Sequence, residues 1–393
     1  MTARARRVRP TRTRARATPL AATALALTAA LAGPAVAAPD HDRPRHRATY
    51  DALRAAVKDG VPGVTATARD SRGTWRTTVG VGDLRTGTPR STADRYRVGS
   101  VTKTFVSTVL LQLEAEGRLS LDDTVDKWLP GLVRGNGHDG SKITLRRLLN
   151  HTSGVYNFTA DEEYGRKYFL KDGFDRHRYD SATPAELVAV AMRHRPDFAP
   201  GTGWKYSNTN YVVAGMVIEK VTGRPYGAEV RDRIIRPLHL TATSVPGNRV
   251  TVPRPSSRAY GKLAEEPTGP TYDVTELNPS LAYAAGEMIA DSADLNRFYR
   301  ALLTGRLLPP EQLKEMKTTV KADAIPGAGY GLGLIERELS CGVHVWGHGG
   351  GIHGSTTEAV TTADGRHSLA FNLNGDWSGD TDAVIEAEFC GGR

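Results

Sequence analysis

The sequence predicts an α+β fold, in which one antiparallel sheet is built from both ends of the chain, flanked by helices and interrupted by a mostly helical region. Residues 63–83 contain two β-type segments separated by a turn, and residues 329–375 contain four more. Between them, residues 119–280 show mostly helical apolar spacing, broken by loops rich in Gly, Pro and Asp. Strands at both ends with helices between them indicate a single sheet assembled from distant segments.

The first 37 residues read as a secretory signal peptide. Seven arginines precede an Ala/Leu-rich run, residues 20–32, which is followed by Ala35-Val36-Ala37. Basic residues, a short apolar run and small residues in this order are typical of a signal peptide, here cleaved after Ala37. The run is shorter than the roughly 20 residues that a membrane-spanning helix needs. We therefore expect a secreted protein without a membrane span, while the Arg6-Arg7 pair leaves the twin-arginine export route open.

The basic charge of the chain belongs to this leader. The whole sequence carries 52 Lys and Arg against 43 Asp and Glu. Without residues 1–37 these become 45 and 43, a net charge of +2. Nucleic-acid binding is not expected, because no basic stripe remains. The remaining 356 residues are enough for one large or two-part domain.

The first elements after the leader are a helix and a hairpin. A polar connector, residues 38–47, precedes a predicted helix at residues 50–57. Residues 63–70 and 74–83 then alternate as two strands, and Ser-Arg-Gly supplies the turn between them. A second helix is predicted from Thr102 to near Gly117. Its apolar residues recur on one face: Phe105, Val106, Val109, Leu110 and Leu113.

The elements predicted near the C-terminus are an amphipathic helix at residues 291–305, four β-type segments and a final helix at residues 381–389. We accordingly divide the chain into an α/β region, residues 48–118 and 280–393, and a mostly helical region, residues 119–279. Together they are expected to form one domain.

The chain has two cysteines, Cys341 and Cys390. In a protein bound for an oxidising compartment, one disulfide is the expected outcome, and two buried thiols are the alternative. No metal site is expected, because His344 and His348 lie four apart in a Gly-rich, β-like stretch and not on a helix.

A candidate nucleophile stands at the start of the second helix, where Ser100 precedes Lys103 by three residues. Residues three apart share a helix face, so the amine can reach the hydroxyl. The unpaired N–H groups of a helix N-terminus also favour negative charge developing there. Alone the pattern is weak, because Ser is common at helix starts and Lys in first turns.

Two further segments strengthen this hypothesis. Tyr206-Ser207-Asn208 lies in a loop immediately before a helix, and His348-Gly349-Gly350 ends a predicted strand. The three patterns S-x-x-K, Y-x-N and [KH]-x-G occur in the order found in serine penicillin-recognising enzymes. A helix-entry turn and a bulged strand end would explain the second and third patterns separately, but only as independent coincidences.

On these motifs the chain, over nearly all of its length after the leader, resembles the secreted serine D-alanyl-D-alanine carboxypeptidases. These are relatives of class C β-lactamases and of a wider group of esterases and D-amino-acid peptidases. The resemblance implies a β-lactamase/DD-peptidase-like fold, and both cysteines match a disulfide-bearing branch of the group. The segments that carry it are residues 97–103, 148–154, 206–223, 330–334, 339–342 and 346–350.

The resemblance also implies a mechanism. Ser100 would attack a substrate carbonyl and form an acyl-enzyme, while Lys103 and Tyr206 would share the proton transfers; which of the two is the base stays open. Asn208 would hydrogen-bond the substrate amide. The backbone N–H groups of Ser100 and Gly351 would form the oxyanion hole. No cofactor is implied, and β-lactams are expected as covalent inhibitors of a monomeric enzyme.

The third motif departs from the carboxypeptidase pattern. His348 is expected to supply positive or hydrogen-bonding character opposite Tyr206, with Gly350 beside the substrate. Gly349 and Gly351 stand where the carboxypeptidases carry threonines that hold the substrate's carboxylate.

An arginine on the neighbouring strand is missing as well, because Ile335 takes its place. Each charge-assisted hydrogen bond lost costs about 1.5–3 kcal/mol. We expect Arg337, two residues along the same strand, or a residue of the helical region to bind the carboxylate instead.

Several functions therefore compete. The first is a D-alanyl-D-alanine carboxypeptidase acting on peptidoglycan peptides, and the second is an esterase or an aminopeptidase for D-residues, which the glycines favour. A β-lactamase is disfavoured because His348 replaces a lysine. A non-catalytic wall-binding module would have no need of the complete motif set. His151 is expected to be structural, and a lipase-type hydrolase is excluded because no G-x-S-x-G elbow occurs.

Overall fold

Among the described residues, nine strands form one antiparallel sheet to which both ends of the chain contribute. The computed structural model describes residues 45–266, 268–322 and 327–391, so the expected signal peptide lies outside the described residues. In chain order the strands of the described residues are β1 (Gly63–Asp70), β2 (Gly73–Asp83), β3 (Thr88–Pro89), β4 (Tyr96–Arg97), β5 (Arg134–Gly135), β6 (His138–Asp139), β7 (Tyr260–Gly261), β8 (Tyr272–Asp273), β9 (Ile289–Ala290), β10 (Val320–Lys321), β11 (Ala328–Tyr330), β12 (Ile335–Glu338), β13 (His344–Ile352), β14 (Ser355–Thr362) and β15 (Ser368–Leu373). Of these, six short strands form three separate pairs, β4 with β9, β5 with β6 and β7 with β8.

The strand order in the sheet is β10-β11-β12-β13-β14-β15-β1-β2-β3. The predicted N-terminal hairpin is confirmed as β1 and β2, with Asp70 opposite Gly73. β1 also pairs with β15, so that the first and last long strands are neighbours. The predicted α+β fold with a sheet shared by both ends of the chain is therefore confirmed.

Helices cover both faces of this sheet. They are α1 (Arg47–Lys58), α2 (Thr102–Ala115), α3 (Val125–Trp128), α4 (Leu145–Leu149), α5 (Glu162–Tyr168), α6 (Lys171–His177), α7 (Pro184–Met192), α8 (Asn208–Thr222), α9 (Tyr226–Val230), α10 (Ser292–Leu303), α11 (Pro310–Met316) and α12 (Thr381–Cys390). Leu369 and Phe371 of β15 pack with the core of α1 and α12. Ala370 between them faces α10 and the helical region, as the alternation of a strand requires.

Helix α2 is buried well beyond the one apolar face that its spacing predicts. Most of its side chains are buried, the polar ones included, because it runs through the interior between the sheet and the helical region. A helix buried on all sides must satisfy its polar groups internally. Accordingly, Thr104 Oγ1 donates to the carbonyl of Gly333 (2.7 Å), and the hydroxyls of Ser107 and Tyr211 lie 3.0 Å apart. This rigid, enclosed helix carries Lys103.

One large apolar core joins the predicted α/β and helical regions, since residues of α2, α8 and α10 share it. The sulfur atoms of Cys341 and Cys390 lie 2.01 Å apart, which links the β12–β13 hairpin to the end of α12. No helix in the described part of the chain is long and apolar enough to cross a membrane.

Candidate active site

Ser100 lies in a single 3₁₀ turn, Gly99–Val101, that leads into α2. Strand β13 passes directly against this turn. A Cβ on Gly350 would lie 2.0 Å from the carbonyl oxygen of Val98 and 2.9 Å from the amide nitrogen of Ser100. Only glycine allows such a backbone approach. Gly350 therefore brings the third motif next to Ser100.

Lys103 is fully buried and surrounded by three oxygen atoms. Its Nζ lies 2.9 Å from Ser100 Oγ, 2.7 Å from Asn208 Oδ1 and 2.7 Å from the carbonyl oxygen of Ala285. Among the described residues no carboxylate forms an ion pair with it. Burial without a counter-ion lowers the pKa of Lys103 well below its usual value. A neutral amine in contact with the serine hydroxyl can accept its proton.

Tyr206 lies beside this amine, with Lys103 Nζ 4.8 Å from the centre of its ring. Burial raises the pKa of Tyr206 above its usual value, an effect that the nearby Ser100 hydroxyl only partly offsets. Its phenol oxygen has no well-formed hydrogen bond to any residue in the described part of the chain. From the sequence, either residue could be the one that loses its proton. Burial favours the neutral form of both groups, an amine that can accept a proton and a phenol that can donate one.

Asn208 is the first residue of α8, and its side chain is held at both ends. Its Oδ1 accepts from Lys103, and its Nδ2 donates to Thr159 Oγ1 at 3.1 Å. Its backbone N–H donates to Asn157 Oδ1 at 3.0 Å. Asn157 and Thr159 were not predicted, because the 3₁₀ turn Phe158–Ala160 and the Asn157 that caps it carry no motif.

His348 is buried and its imidazole is directed inward. Beneath the site, His151 Nδ1 accepts the backbone N–H of Ser207, so its Nε2 carries the proton and donates to the Tyr330 hydroxyl (3.1 Å). Tyr330 then donates to His348 Nε2 (2.9 Å), and His348 Nδ1 donates to the carbonyl of Gly349 (2.5 Å). Both nitrogens of His348 are thus occupied.

Of the two characters expected for His348, positive or hydrogen-bonding, its contacts favour the hydrogen-bonding one. Burial is the main cause that lowers the pKa of His348 to about 3, which favours the neutral ring. His151, expected to be structural, is fully buried and lies under Tyr206, with ring centres 4.3 Å apart. The two histidines and Tyr330 therefore form a polar support beneath the site.

The structure argues against Arg337 as a carboxylate anchor. Its Nη1 donates to Asp382 Oδ1 (2.9 Å) and its Nη2 lies 3.5 Å from Glu358 Oε2. A Cβ at Gly349 would lie 2.4 Å from Glu358 Oε1, so this carboxylate fills the space beside the glycine. The guanidinium is already paired with two carboxylates, and Ile335 is buried in an apolar cluster.

A cavity of about 500 Å³ opens on one side of Ser100. Ser100, Asn208 and Gly351 line it, whereas Tyr206, His348 and Arg337 are not among the described residues that line it. Its walls are rich in aromatic side chains, namely Phe158, Tyr164, Tyr168, Phe169, Phe174 and Trp377. Ser100 therefore borders the cavity, whereas the phenol of Tyr206 contacts the serine from outside the cavity.

Residues 37–387 match the family model described as Beta-lactamase. A penicillin-binding protein of Bacillus subtilis is 26% identical over 305 residues, which are 75% of this chain and 64% of that protein. The esterase EstB of Burkholderia gladioli is 36% identical over 183 residues, 45% of each chain. This chain therefore spans less than two thirds of either relative.

Two solved structures are similar over almost their full length. A D-stereospecific amidohydrolase from a Streptomyces species has a TM-score of 0.84 and 63% identity, and the match covers 88% of this chain and 99% of that one. The D-amino acid amidase of Ochrobactrum anthropi SV3, complexed with L-phenylalanine amide, has a TM-score of 0.75 and 30% identity, covering 88% and 98%.

Proposed function

The chain belongs to the β-lactamase family, and from that premise we propose that it is a serine hydrolase that cleaves amides or esters of D-amino acids through an acyl-enzyme. The observation that carries this proposal is the position of the cavity. A leaving group must depart towards its proton donor, so it would lie on the side of Tyr206. The acyl part would then occupy the aromatic cavity bounded by Ser100, Asn208 and Gly351.

Acylation would begin with the amine of Lys103. Its neutral Nζ, 2.9 Å from Ser100 Oγ, takes the serine proton as Oγ bonds to the substrate carbonyl carbon. The negative charge that forms on the carbonyl oxygen would be met by the backbone N–H groups of Ser100 and Gly351. Oxyanion donors of this kind typically contribute a factor of about 10²–10³ each to kcat.

Collapse of the tetrahedral intermediate breaks the bond to the leaving group. Tyr206, whose protonated hydroxyl has no well-formed hydrogen bond to any described residue, would donate its proton to the departing nitrogen or oxygen. The proton on Lys103 Nζ would then return to the phenolate, whose ring lies beside the amine. A water molecule, deprotonated by the same pair, would attack the ester and release the acid and Ser100.

Recognition of the leaving group supports an amidase or esterase over a carboxypeptidase. A C-terminal D-alanine would bring a carboxylate to the side of Tyr206 and His348. There the imidazole is neutral, and Arg337 is already paired with Asp382 and Glu358. The ammonia or alcohol released from a simple amide or ester carries no carboxylate and therefore needs no such cation. The 63% identity to a D-stereospecific amidohydrolase points the same way.

A D-alanyl-D-alanine carboxypeptidase is the second candidate, because several curated relatives are penicillin-binding proteins. We also propose that residues 1–37 direct secretion, which the disulfide-bonded cysteine pair supports. β-Lactams would then act as covalent inhibitors on Ser100 in either case.

The test is a substrate panel for the protein without residues 1–37. D-phenylalanine amide, its methyl ester, the L-enantiomers, an acetylated peptide ending in D-Ala-D-Ala and a cephalosporin would be compared by kcat/KM, with Ser100→Ala as the control. We expect the D-amide and D-ester to be cleaved fastest. If the D-Ala-D-Ala peptide is cleaved faster than both, the carboxypeptidase is correct, and activity that survives in Ser100→Ala refutes the serine mechanism.

A further inference from the structure

The aromatic cavity contains an acidic side chain that the proposed mechanism does not use. Asp376 follows β15 and lines the cavity together with Ser100 and Gly351. The backbone N–H of Gly354, in the turn between β13 and β14, donates to its Oδ2 at 2.7 Å. Much of the residue is exposed, although burial raises the pKa of the Asp376 carboxyl above its usual value, and within the described residues it forms no ion pair. One oxygen is thus fixed by the backbone, and the other is available to a ligand.

The lysine and the arginine that line the cavity do not pair with this carboxylate. Lys262 Nζ donates to the carbonyl of Gly269 and to Thr271 Oγ1, both at 2.9 Å, and lies over the ring of Trp377. Arg178 lies over the rings of two aromatic neighbours, 4.8 Å from the nearer ring centre. Asp376 therefore presents an uncompensated negative charge to whatever occupies the cavity.

The backbone places this charge near the reacting carbonyl. Gly351, the proposed oxyanion donor, is three residues before Gly354, which holds Asp376. Three extended residues span at most about 10 Å. Ile352 pairs with Ser355, so the chain turns back at the intervening residues and the separation is shorter. The carboxylate can thus contact a group on the acyl part of the substrate, but it lies away from the leaving-group side.

We propose that Asp376 binds the free amino group of the acyl part, so that the cavity selects aminoacyl substrates carrying an ammonium group. This inference rests on the proposed function and names its substrate class. The substrate side chain would lie against the aromatic wall that includes Tyr168 and Phe174. The carbonyl, the ammonium group and the side chain of the substrate would then be held at three separate points. Three points of contact are the minimum needed to distinguish a D-residue from its L-enantiomer.

The experiment compares two substrates that differ only in the amino group. These are D-phenylalanine p-nitroanilide and 3-phenylpropanoic acid p-nitroanilide. In Asp376→Asn the acceptor for the Gly354 N–H remains but the negative charge is lost. We expect the ratio of kcat/KM for the amine-bearing substrate to that for the amine-free substrate to fall about tenfold or more, the size of one charge-assisted hydrogen bond.

Glu265→Gln is the matched control, because Glu265 also lines the cavity and is exposed. The ratio should stay within about twofold of the wild type in this variant, since a carboxylate not in contact with the ligand contributes little through solvent. An unchanged ratio in Asp376→Asn, or an equal fall in both variants, overturns the proposal.

A binding measurement separates this inference from the proposed function. Calorimetry would compare D-phenylalanine amide with 3-phenylpropanamide, first on Ser100→Ala and then on the same protein carrying Asp376→Asn. If the double variant binds only the amine-bearing ligand more weakly, the role of Asp376 is supported. If in addition neither anilide is hydrolysed, the proposed function fails while the role of Asp376 still holds. Equal binding of the two amides to Ser100→Ala overturns the role of Asp376.

Discussion

The contact between β13 and the Ser100 turn can be tested with two adjacent glycines. A Cβ at Gly350 would lie 2.0 Å from the carbonyl oxygen of Val98, whereas a Cβ at Gly351 would meet no atom within 4 Å. Non-bonded carbon and oxygen atoms need more than 3 Å. Gly350→Ala must therefore move the strand and the turn apart by roughly 1 Å. The two proposed oxyanion donors lie on opposite sides of that contact.

A displacement of this size should strongly reduce acylation. Misplacing reacting groups by about 1 Å costs on the order of 10²-fold in rate, and loss of one oxyanion donor costs about 10²–10³-fold. We expect Gly350→Ala to lower kcat for a D-aminoacyl ester by about 10²-fold or more, and to slow labelling of Ser100 by a fluorescent penicillin similarly. Gly351→Ala keeps its backbone N–H and should lose less than about tenfold.

Circular dichroism and thermal unfolding would show that both glycine variants are folded. The reasoning is refuted if folded Gly350→Ala acylates within about threefold of the wild type. It is also refuted if Gly351→Ala loses as much activity as Gly350→Ala, because the loss would then not come from the clash with Val98.

Four further predictions follow from the charges and hydrogen bonds of the described residues. Because burial lowers the pKa of Lys103, the acylation rate should rise with pH through an apparent pKa well below that of free lysine, and Lys103→Met should abolish this rise; a rise only near the usual lysine value would contradict it. Tyr206→Phe should reduce hydrolysis of an amide far more than that of a p-nitrophenyl ester, whose leaving group needs no proton, whereas equal losses would remove Tyr206 as the donor. Tyr330→Phe leaves Nε2 of His348 without its donor and should lower the free energy of unfolding by about 1–3 kcal/mol in a urea titration; an unchanged midpoint would show that the polar support is not stabilising. Although burial opposes the shift, hydrogen bonds from two histidines and a threonine lower the pKa of Glu388 from 4.5 to about 2. This carboxylate should therefore contribute about 3 kcal/mol to the free energy of unfolding near neutral pH, and that contribution should be lost as the pH falls from about 5 to 2. Glu388→Gln should flatten this part of the curve of unfolding free energy against pH.

Much of the fold could be predicted from local patterns. The hairpin β1–β2 was predicted because alternation and a Ser-Arg-Gly turn are properties of adjacent residues. Helix α10 followed from its apolar spacing. Helix α2 was placed correctly, but only one apolar face was predicted for it. Sequence spacing does not reveal that polar Thr104 and Ser107 bond to distant parts of the chain.

Only part of the candidate site could be predicted from local sequence patterns. The motifs containing Ser100, Lys103, Tyr206 and Asn208 were identified from spacing, and the structure brings these residues together. Asp376 carries no motif, and it enters the cavity only because β15 ends beside the β13–β14 turn.

The sequence by itself determined which reactive groups this protein carries, because the serine, amine, phenol and amide recur at spacings that need no knowledge of distant neighbours. The tertiary structure decided their protonation and pairing. Lys103 is bonded to atoms 105 and 182 residues away along the chain, and the charge of Arg337 is taken up by Glu358 and Asp382. Burial and charge pairing depend on what surrounds a group in space, so only the folded chain shows that the pKa of Lys103 is lowered and that Arg337 is paired with carboxylates.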